Sequence, residues 1–107
     1  MTKKILTTRF NYSMPTEEFI RIMPALAPKF SDIPGFRWKI WLHNEEHKEA
    51  GGIYLFESAT KLEQFLKGNL FASVTNNPSF SNFQINTFGI EEEASVLTGA
   101  LLMKANS

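Results

Sequence analysis

The chain has 107 residues, 43% of them hydrophobic, and its eleven basic residues balance eleven acidic ones. This length and composition predict one globular domain over residues 1–107, and the zero net charge argues against nucleic acid or an anionic membrane as a partner. Cysteine is absent, which excludes disulfides, thiol catalysis and Cys-ligated metal sites. We expect a cytoplasmic protein, since neither a signal peptide nor a membrane-spanning apolar run is visible.

The first elements are a strand and a helix. Residues 4–12 alternate between two sets of side chains, which is typical of a half-buried strand. Residues 13–18 supply hydroxyls, a proline and two acids, which favour a helix start. Apolar residues then recur at helical spacing over 19–30. Prolines 24 and 28 each remove a backbone donor, so we expect a kink or break near Met23.

The remaining elements follow from the same two patterns, which are alternation of side chains for strands and helical spacing of apolar residues for helices. The turn signal Ile33-Pro34-Gly35 precedes a β-hairpin, and Ser58 is a suitable cap for a second helix that Gly68 loosens. The predicted ranges are strands 36–42 and 50–56, a helix from Ser58 to about residue 75, a strand over 80–88 and a C-terminal helix over 91–105 with acids at its start. The order is therefore β-α-β-β-α-β plus a helix. It predicts an α+β, ferredoxin-like fold with a four-stranded antiparallel sheet.

The hairpin concentrates both tryptophans, and its two faces differ in character. Cross-strand neighbours share a face. One predicted set is strongly apolar and is expected to be the core side: Phe36, Trp38, Ile40 and Leu42 with Gly51, Ile53 and Leu55. The other mixes aromatic rings with cations: Arg37, Lys39, Trp41 and His43 with Gly52, Tyr54 and Phe56. This second set either fills an interface with another copy of the chain or, with Arg9, lines a pocket for a flat aromatic compound.

Few residues suit other chemistry. His43-Asn44-Glu45-Glu46-His47 has the H-x-x-E-H spacing of a zinc site, but it lies between two strands, where a solvated loop is expected. Asp32 is the one aspartate, and both histidines fall near the hairpin loop, so a Ser-His-Asp site has no support. Glu49, beside two glycines, is a candidate proton acceptor, as is His47.

Segments 34–41 and 49–56 resemble the signature of the YdhR-type mono-oxygenases, small members of the dimeric α/β-barrel superfamily. The resemblance implies a homodimer in which two sheets pack face to face, with a cavity between sheet and helices in each subunit. Relatives in the superfamily oxidise polycyclic phenols with molecular oxygen, which implies neither metal nor other cofactor. One branch degrades haem through a histidine on the second helix. Residues 58–77 contain none, so we expect no haem.

Two hypotheses for function follow. In the first, the protein is a cofactor-independent mono-oxygenase acting on a small aromatic or quinol-type compound. The residues expected to position and ionise the substrate are Arg9, Lys39, Trp41 and Tyr54, and those expected to accept a proton are Glu49 and His47. In the second, the protein is a non-catalytic dimer that binds a small hydrophobic ligand. Both predict a homodimer, and only the first predicts oxygen consumption.

Overall fold

The computed structural model describes residues 2–102, which form one four-stranded antiparallel sheet with the first three of its helices against one face. The elements are β1 (Lys4–Tyr12), α1 (Thr16–Ser31), β2 (Phe36–Asn44), β3 (Glu49–Phe56), α2 (Ala59–Leu66), α3 (Asn69–Thr75), β4 (Phe80–Gly89) and α4 (Glu92–Leu97). The strand order is β2-β3-β1-β4, so the predicted ferredoxin-like arrangement is confirmed. Over residues 2–102, no helix is long and apolar enough to cross a membrane.

The strand bounds agree with prediction to within two residues, whereas the helices differ from it. Helix α1 runs through both prolines as one helix, so the break, one of the two alternatives expected near Met23, does not occur. Its ends are held by the buried rings of Phe19 and Phe30, and this tertiary packing outweighs the two lost backbone bonds. The second predicted helix is divided into α2 and α3 at Gly68.

The C-terminal helix is shorter than predicted. Helix α4 ends at Leu97, close to Gly99, whose φ of +93° is a left-handed conformation that favours glycine. The predicted helix over 91–105 therefore agrees with the structure only over Glu92–Leu97. Its last part, residues 103–105, lies outside the described residues.

The hairpin register reproduces the predicted pairing of side chains from Trp38 onward. Lys39 lies opposite Tyr54, and Trp38 lies opposite Leu55. The register shifts between Phe36 and Trp38, which is a β-bulge that leaves one extra residue on β2. Because of this bulge, Phe36 lies opposite Phe56 and joins the face of Tyr54 instead of the face of Trp38.

The expectation that the Trp38 set is the core side of the hairpin is wrong. The helices cover the opposite face, where Tyr54 and Phe56 pack with residues of α1, α2 and α3. On the Trp38 face, Ile40 and Leu42 remain 50% and 39% exposed. Strand β1 accounts for this orientation, since Leu6 lies opposite Tyr54 and is fully buried with it. We call the face that carries Trp38, Ile40 and Leu42, which helices α1, α2 and α3 do not cover, the open face.

One end of the open face is covered by the chain itself. The Trp38 indole nitrogen donates a 2.7 Å hydrogen bond to the carbonyl of Leu101, which follows α4. Leu55, opposite Trp38 on β3, is fully buried. The segment after β4 therefore lies near this end of the hairpin, while Ile40 and Leu42 stay uncovered.

The pairing of β1 with β3 requires a glycine at position 51. A Cβ on Gly51 would overlap the backbone carbonyl of Thr8 on β1, and backbone cannot move aside as a flexible side chain can. We expect Gly51→Ala to lower the free energy of unfolding by about 1–3 kcal/mol or more, measured by urea denaturation. Gly89→Ala is the control, because the nearest atom to its Cβ would be 3.8 Å away. Equal midpoints for the two variants and the parent chain would contradict this account.

Candidate functional site

A cavity of about 40 Å³ lies between the sheet and helices α1 and α3. Its walls are almost entirely apolar, and aromatic rings form much of them. The lining residues are Thr8, Phe10, Phe19, Ile22, Met23, Leu26, Phe30, Lys39, Trp41, Ala50, Gly51, Tyr54, Phe71, Val74, Phe80 and Phe83. Volume of this size accommodates about three water molecules.

The Lys39 side chain brings a cation into this apolar cavity. Its Nζ lies 3.5 Å from the ring centroid of Trp41, 4.3 Å from that of Phe30 and 4.5 Å from that of Tyr54. We call these three rings the aromatic cage. A Cβ on Gly52 would lie 2.5 Å from Lys39 Cε and 3.2 Å from Tyr54 Cε1, so glycine at this position leaves the space that the lysine stem occupies.

The surroundings of Lys39 disfavour its charged form. Burial lowers the pKa of the Lys39 ammonium from 10.5 to about 7. The aromatic cage acts in the opposite direction, since ring faces attract a cation by about 0.5–2 kcal/mol. Over residues 2–102 Lys39 makes no ion pair, and the described cavity lining includes neither Asp nor Glu. Near neutral pH this amine is therefore able to exist in both protonation states.

Tyr54, opposite Lys39 on β3, supplies the second titratable group of the cavity. Burial raises the pKa of its phenol to about 12, and a side-chain hydrogen bond with Thr8 acts weakly against that effect. The phenol is therefore protonated at neutral pH and able to donate a hydrogen bond. An amine that accepts a proton and a phenol that donates one thus face the same small cavity.

The structure brings together three of the six predicted site residues, Lys39, Trp41 and Tyr54. The other three lie elsewhere: Arg9, Glu49 and His47. Arg9 pairs with Glu49 at 2.8 Å on the open face, because alternation along β1 points Arg9 away from the helices. His47 is exposed in the turn between β2 and β3, where its carbonyl accepts a hydrogen bond from Asn11.

Thirteen of the sixteen lining residues carry no site signal in the sequence, and two of these, Phe30 and Thr8, contact the titratable pair. Phe30 was placed only in a helical stripe, although it closes one side of the aromatic cage. Thr8 was placed only by strand alternation, although it contacts Tyr54 from the buried side of β1. A pattern in the sequence pointed to each of them as a buried residue. Thr8 alternates in step with Leu6 on β1, and Phe30 continues the apolar stripe that begins at Phe19 on α1.

The H-x-x-E-H segment lies at the end of β2 and in the turn after it, as its position between two strands predicted. His43 is on the helix-covered face, where its Nε2 lies 2.8 Å from the Tyr12 hydroxyl. The Tyr12 ring stacks on Phe19, which lines the cavity. Across residues 2–102, no three His, Asp or Glu side chains converge as metal ligands would.

Several solved structures share this architecture. SnoaB, a cofactor-independent oxygenase from Streptomyces nogalater, matches 85% of this chain and 95% of its own with a TM-score of 0.68 and 17% identity. The protein NE2512 from Nitrosomonas europaea, of unknown function, matches 85% and 91% with a TM-score of 0.68 and 19% identity. The haem degrader MhuD from Mycobacterium tuberculosis matches 82% and 95% with a TM-score of 0.63 and 15% identity. At these identities the likeness shows the fold, which is an α+β fold found in oxygenases.

The family follows from the sequence itself. The family model described as "Putative mono-oxygenase ydhR" matches residues 5–101, which is most of the chain. The chain therefore belongs to the ydhR family, and the resemblance seen in the hairpin is confirmed. No curated protein matches it in a sequence search.

The burial of Lys39 leads to a prediction about how the stability of the protein depends on pH. Since its pKa is about 7 when folded and 10.5 when unfolded, the unfolded chain binds more protons between these values, and stability should rise with pH there. Below pH 7 the folded state carries the full cost of a buried ammonium. Lys39→Met should thus be more stable than the parent at pH 6, by on the order of a few kcal/mol, and this advantage should shrink towards pH 10.

Urea midpoints measured from pH 6 to pH 10 test this prediction. The series stops at pH 10 because ionisation of unfolded Tyr54, whose folded pKa is about 12, lowers stability above that value. Lys67→Met, at an exposed position after α2, is the matched control and should show no comparable pH dependence. A constant difference between Lys39→Met and the parent over the whole range would contradict a lowered pKa.

Proposed function

We propose that the protein is a cofactor-independent mono-oxygenase acting on a small aromatic or quinol-type compound. The observation that carries this proposal is the Lys39 amine, held in an apolar cavity by three aromatic rings. Membership of a mono-oxygenase family and a fold shared with a cofactor-independent oxygenase support it. The proposed substrate-binding residues are Lys39, Trp41 and Tyr54.

The proposed chemistry begins with ionisation of the substrate. Neutral Lys39 accepts the proton of a phenolic hydroxyl, and the resulting ammonium stabilises the phenolate in surroundings of low polarity. Trp41 stacks on the substrate ring, and Tyr54 donates a hydrogen bond to an oxygen. An ionised phenol is electron-rich enough to reduce molecular oxygen itself. A phenol and O₂ then give a quinone and water, with every electron supplied by the substrate.

A ring needs more room than the cavity has in this conformation, since about 40 Å³ holds about three water molecules. Met23 is a flexible side chain in the wall and can move aside. It belongs to α1, in which Pro24 and Pro28 each remove a backbone hydrogen bond. We therefore propose that substrate entry displaces the α1 wall, while the strand residues of the aromatic cage keep their positions.

Oxygen uptake tests the proposed activity, and it is measured while the protein is incubated with each member of a panel of phenols and quinols. We expect at least one compound to be oxidised, and Lys39→Met and Trp41→Ala to lower kcat/KM by about 10²-fold or more because they remove the proton acceptor and the stacking surface. Tyr54→Phe should lower it less, since one hydrogen bond is lost. Trp38→Phe on the open face is the control and should retain activity. Circular dichroism verifies that each variant folds.

The same panel of compounds distinguishes the proposed oxygenase from the alternative, a non-catalytic binding protein. A non-catalytic protein would bind a panel member with micromolar affinity, weakened by Trp41→Ala, and would consume no oxygen. An apolar cavity with few polar groups favours this second function as a binding module. Oxygen uptake unchanged in both Lys39→Met and Trp41→Ala would contradict the proposed site.

We further propose that the protein forms a homodimer through the open face. Three large apolar side chains support this: Ile40 is 50%, Leu42 39% and Phe88 54% exposed, and all lie on strands of this face. Exposed apolar side chains spread across one sheet face are suited to contact with a second identical sheet, which is how a dimeric α/β barrel is built. In this arrangement each cavity lies on the far side of its own sheet.

A charge on the open face should separate the subunits. We expect the parent chain to be a dimer by light scattering at micromolar concentration and Leu42→Glu to be a folded monomer, because burial of an unpaired carboxylate is costly. Thr60→Glu, an exposed position on α2, is the control and should remain dimeric. A monomeric parent chain would contradict the proposed barrel.

A further inference from the structure

Lys39 differs from an ordinary surface lysine in where its nitrogen lies. The amine faces a cavity with apolar walls, and the aromatic cage encloses its other sides. By contrast, Lys3 pairs with Glu92 at 3.6 Å, and the Lys48 nitrogen donates to the carbonyl of Ser13. A lysine held in an apolar pocket is the arrangement that makes an amine nucleophilic near neutral pH.

We propose that Lys39 condenses reversibly with small, uncharged aldehydes and ketones to form an imine inside the cavity. This reactivity goes beyond the proposed oxygenase activity and is independent of it, since it requires neither oxygen nor an aromatic substrate. The ligand class follows from the reacting atom and from the space and polarity around it.

The reaction balances without a redox partner. The lone pair of Lys39 Nζ attacks the carbonyl carbon, a C–N bond forms, and the carbonyl oxygen takes up a proton to give a carbinolamine. After the nitrogen gives up one proton, its lone pair forms C=N as the hydroxyl leaves with a proton as water, and the resulting iminium loses its remaining N–H proton to give the neutral imine. Amine and carbonyl compound thus give imine and one water molecule, and the reverse reaction is hydrolysis.

The cavity holds the other groups that this condensation needs. The Tyr54 ring centroid lies 4.5 Å from Lys39 Nζ and its phenol stays protonated at neutral pH, so we assign it as the donor of the proton to the carbonyl oxygen and later to the leaving hydroxyl. Burial keeps part of the Lys39 population uncharged, as nucleophilic attack requires. Across the described residues, the lining includes no carboxylate that would hold the amine as an ammonium.

The size of the cavity selects among carbonyl compounds. About 40 Å³ holds about three water molecules, which corresponds to a compound of about three or four heavy atoms, such as propanal or acetone. Apolar walls favour an uncharged compound over a keto acid. A compound of several fused rings exceeds both this space and the small aromatic compound that a displaced α1 wall is proposed to admit.

Reductive trapping tests the inference. The full chain is incubated under nitrogen with dilute propanal and sodium cyanoborohydride at pH 7, and the propylated lysines are identified by peptide mapping with mass spectrometry. We expect Lys39 to be labelled at least about tenfold faster than Lys67, because the apolar cavity keeps part of the Lys39 amine uncharged at this pH. Mapping also separates Lys39 from the chain's α-amino group.

Variants give the test its specificity. Lys39→Arg should abolish the fast label while Lys67→Arg leaves it unchanged, and Tyr54→Phe should slow labelling with Lys39 still present. A bulky aldehyde such as anthracene-9-carbaldehyde should label Lys39 no faster than Lys67. Equal labelling of Lys39 and Lys67 by propanal, or a rate unaffected by Tyr54→Phe, would overturn the proposal. Because oxygen is absent, a failure here leaves the oxygenase test untouched.

Discussion

The pairing of β1 with β3 determines which side chains the helices cover. Leu6 lies opposite Tyr54 in this antiparallel ladder, so the buried side of β1 and the aromatic side of β3 share one face. Because side chains alternate along a strand, this one register also fixes the orientation of Lys39, which lies opposite Tyr54 on β2. A slip by one residue would place Arg9 on the same face as Tyr54, and so would either bury Arg9 or expose the aromatic cage. The close approach at Gly51 contributes to this register, since a larger residue would force the two strands apart.

The site depends on two opposing effects on one amine. Burial lowers the pKa of Lys39, while the aromatic cage favours its charged form. A deeper pocket without rings would leave a purely neutral amine, and rings at an exposed position would leave a permanent cation. The combination keeps both forms accessible near neutral pH. It allows Lys39 to accept a proton from a substrate and then stabilise the anion that remains.

Sequence patterns predicted the order, type and approximate bounds of the strands, because period-two alternation and turn residues are local signals. The hairpin partners were also predictable, apart from Phe36, which the bulge moves to the other face. The face of the hairpin that the helices cover could not be predicted in this way. Trp38, Ile40 and Leu42 form the more hydrophobic set, and hydrophobicity alone favours that set as core.

Strand β1 carried the information that would have decided between the faces. Thr7, Arg9 and Asn11 alternate with Leu6 and Phe10, so only one side of this central strand is suited to burial. Once Leu6 lies opposite Tyr54, the face on which each side chain of the hairpin lies is determined. Position in the sheet, not the hydrophobicity of one hairpin, thus places the cavity and the proposed interface on opposite faces. As a result, a second subunit on the open face would contact the same strands that carry Lys39 and Tyr54 while leaving the cavity to the helices.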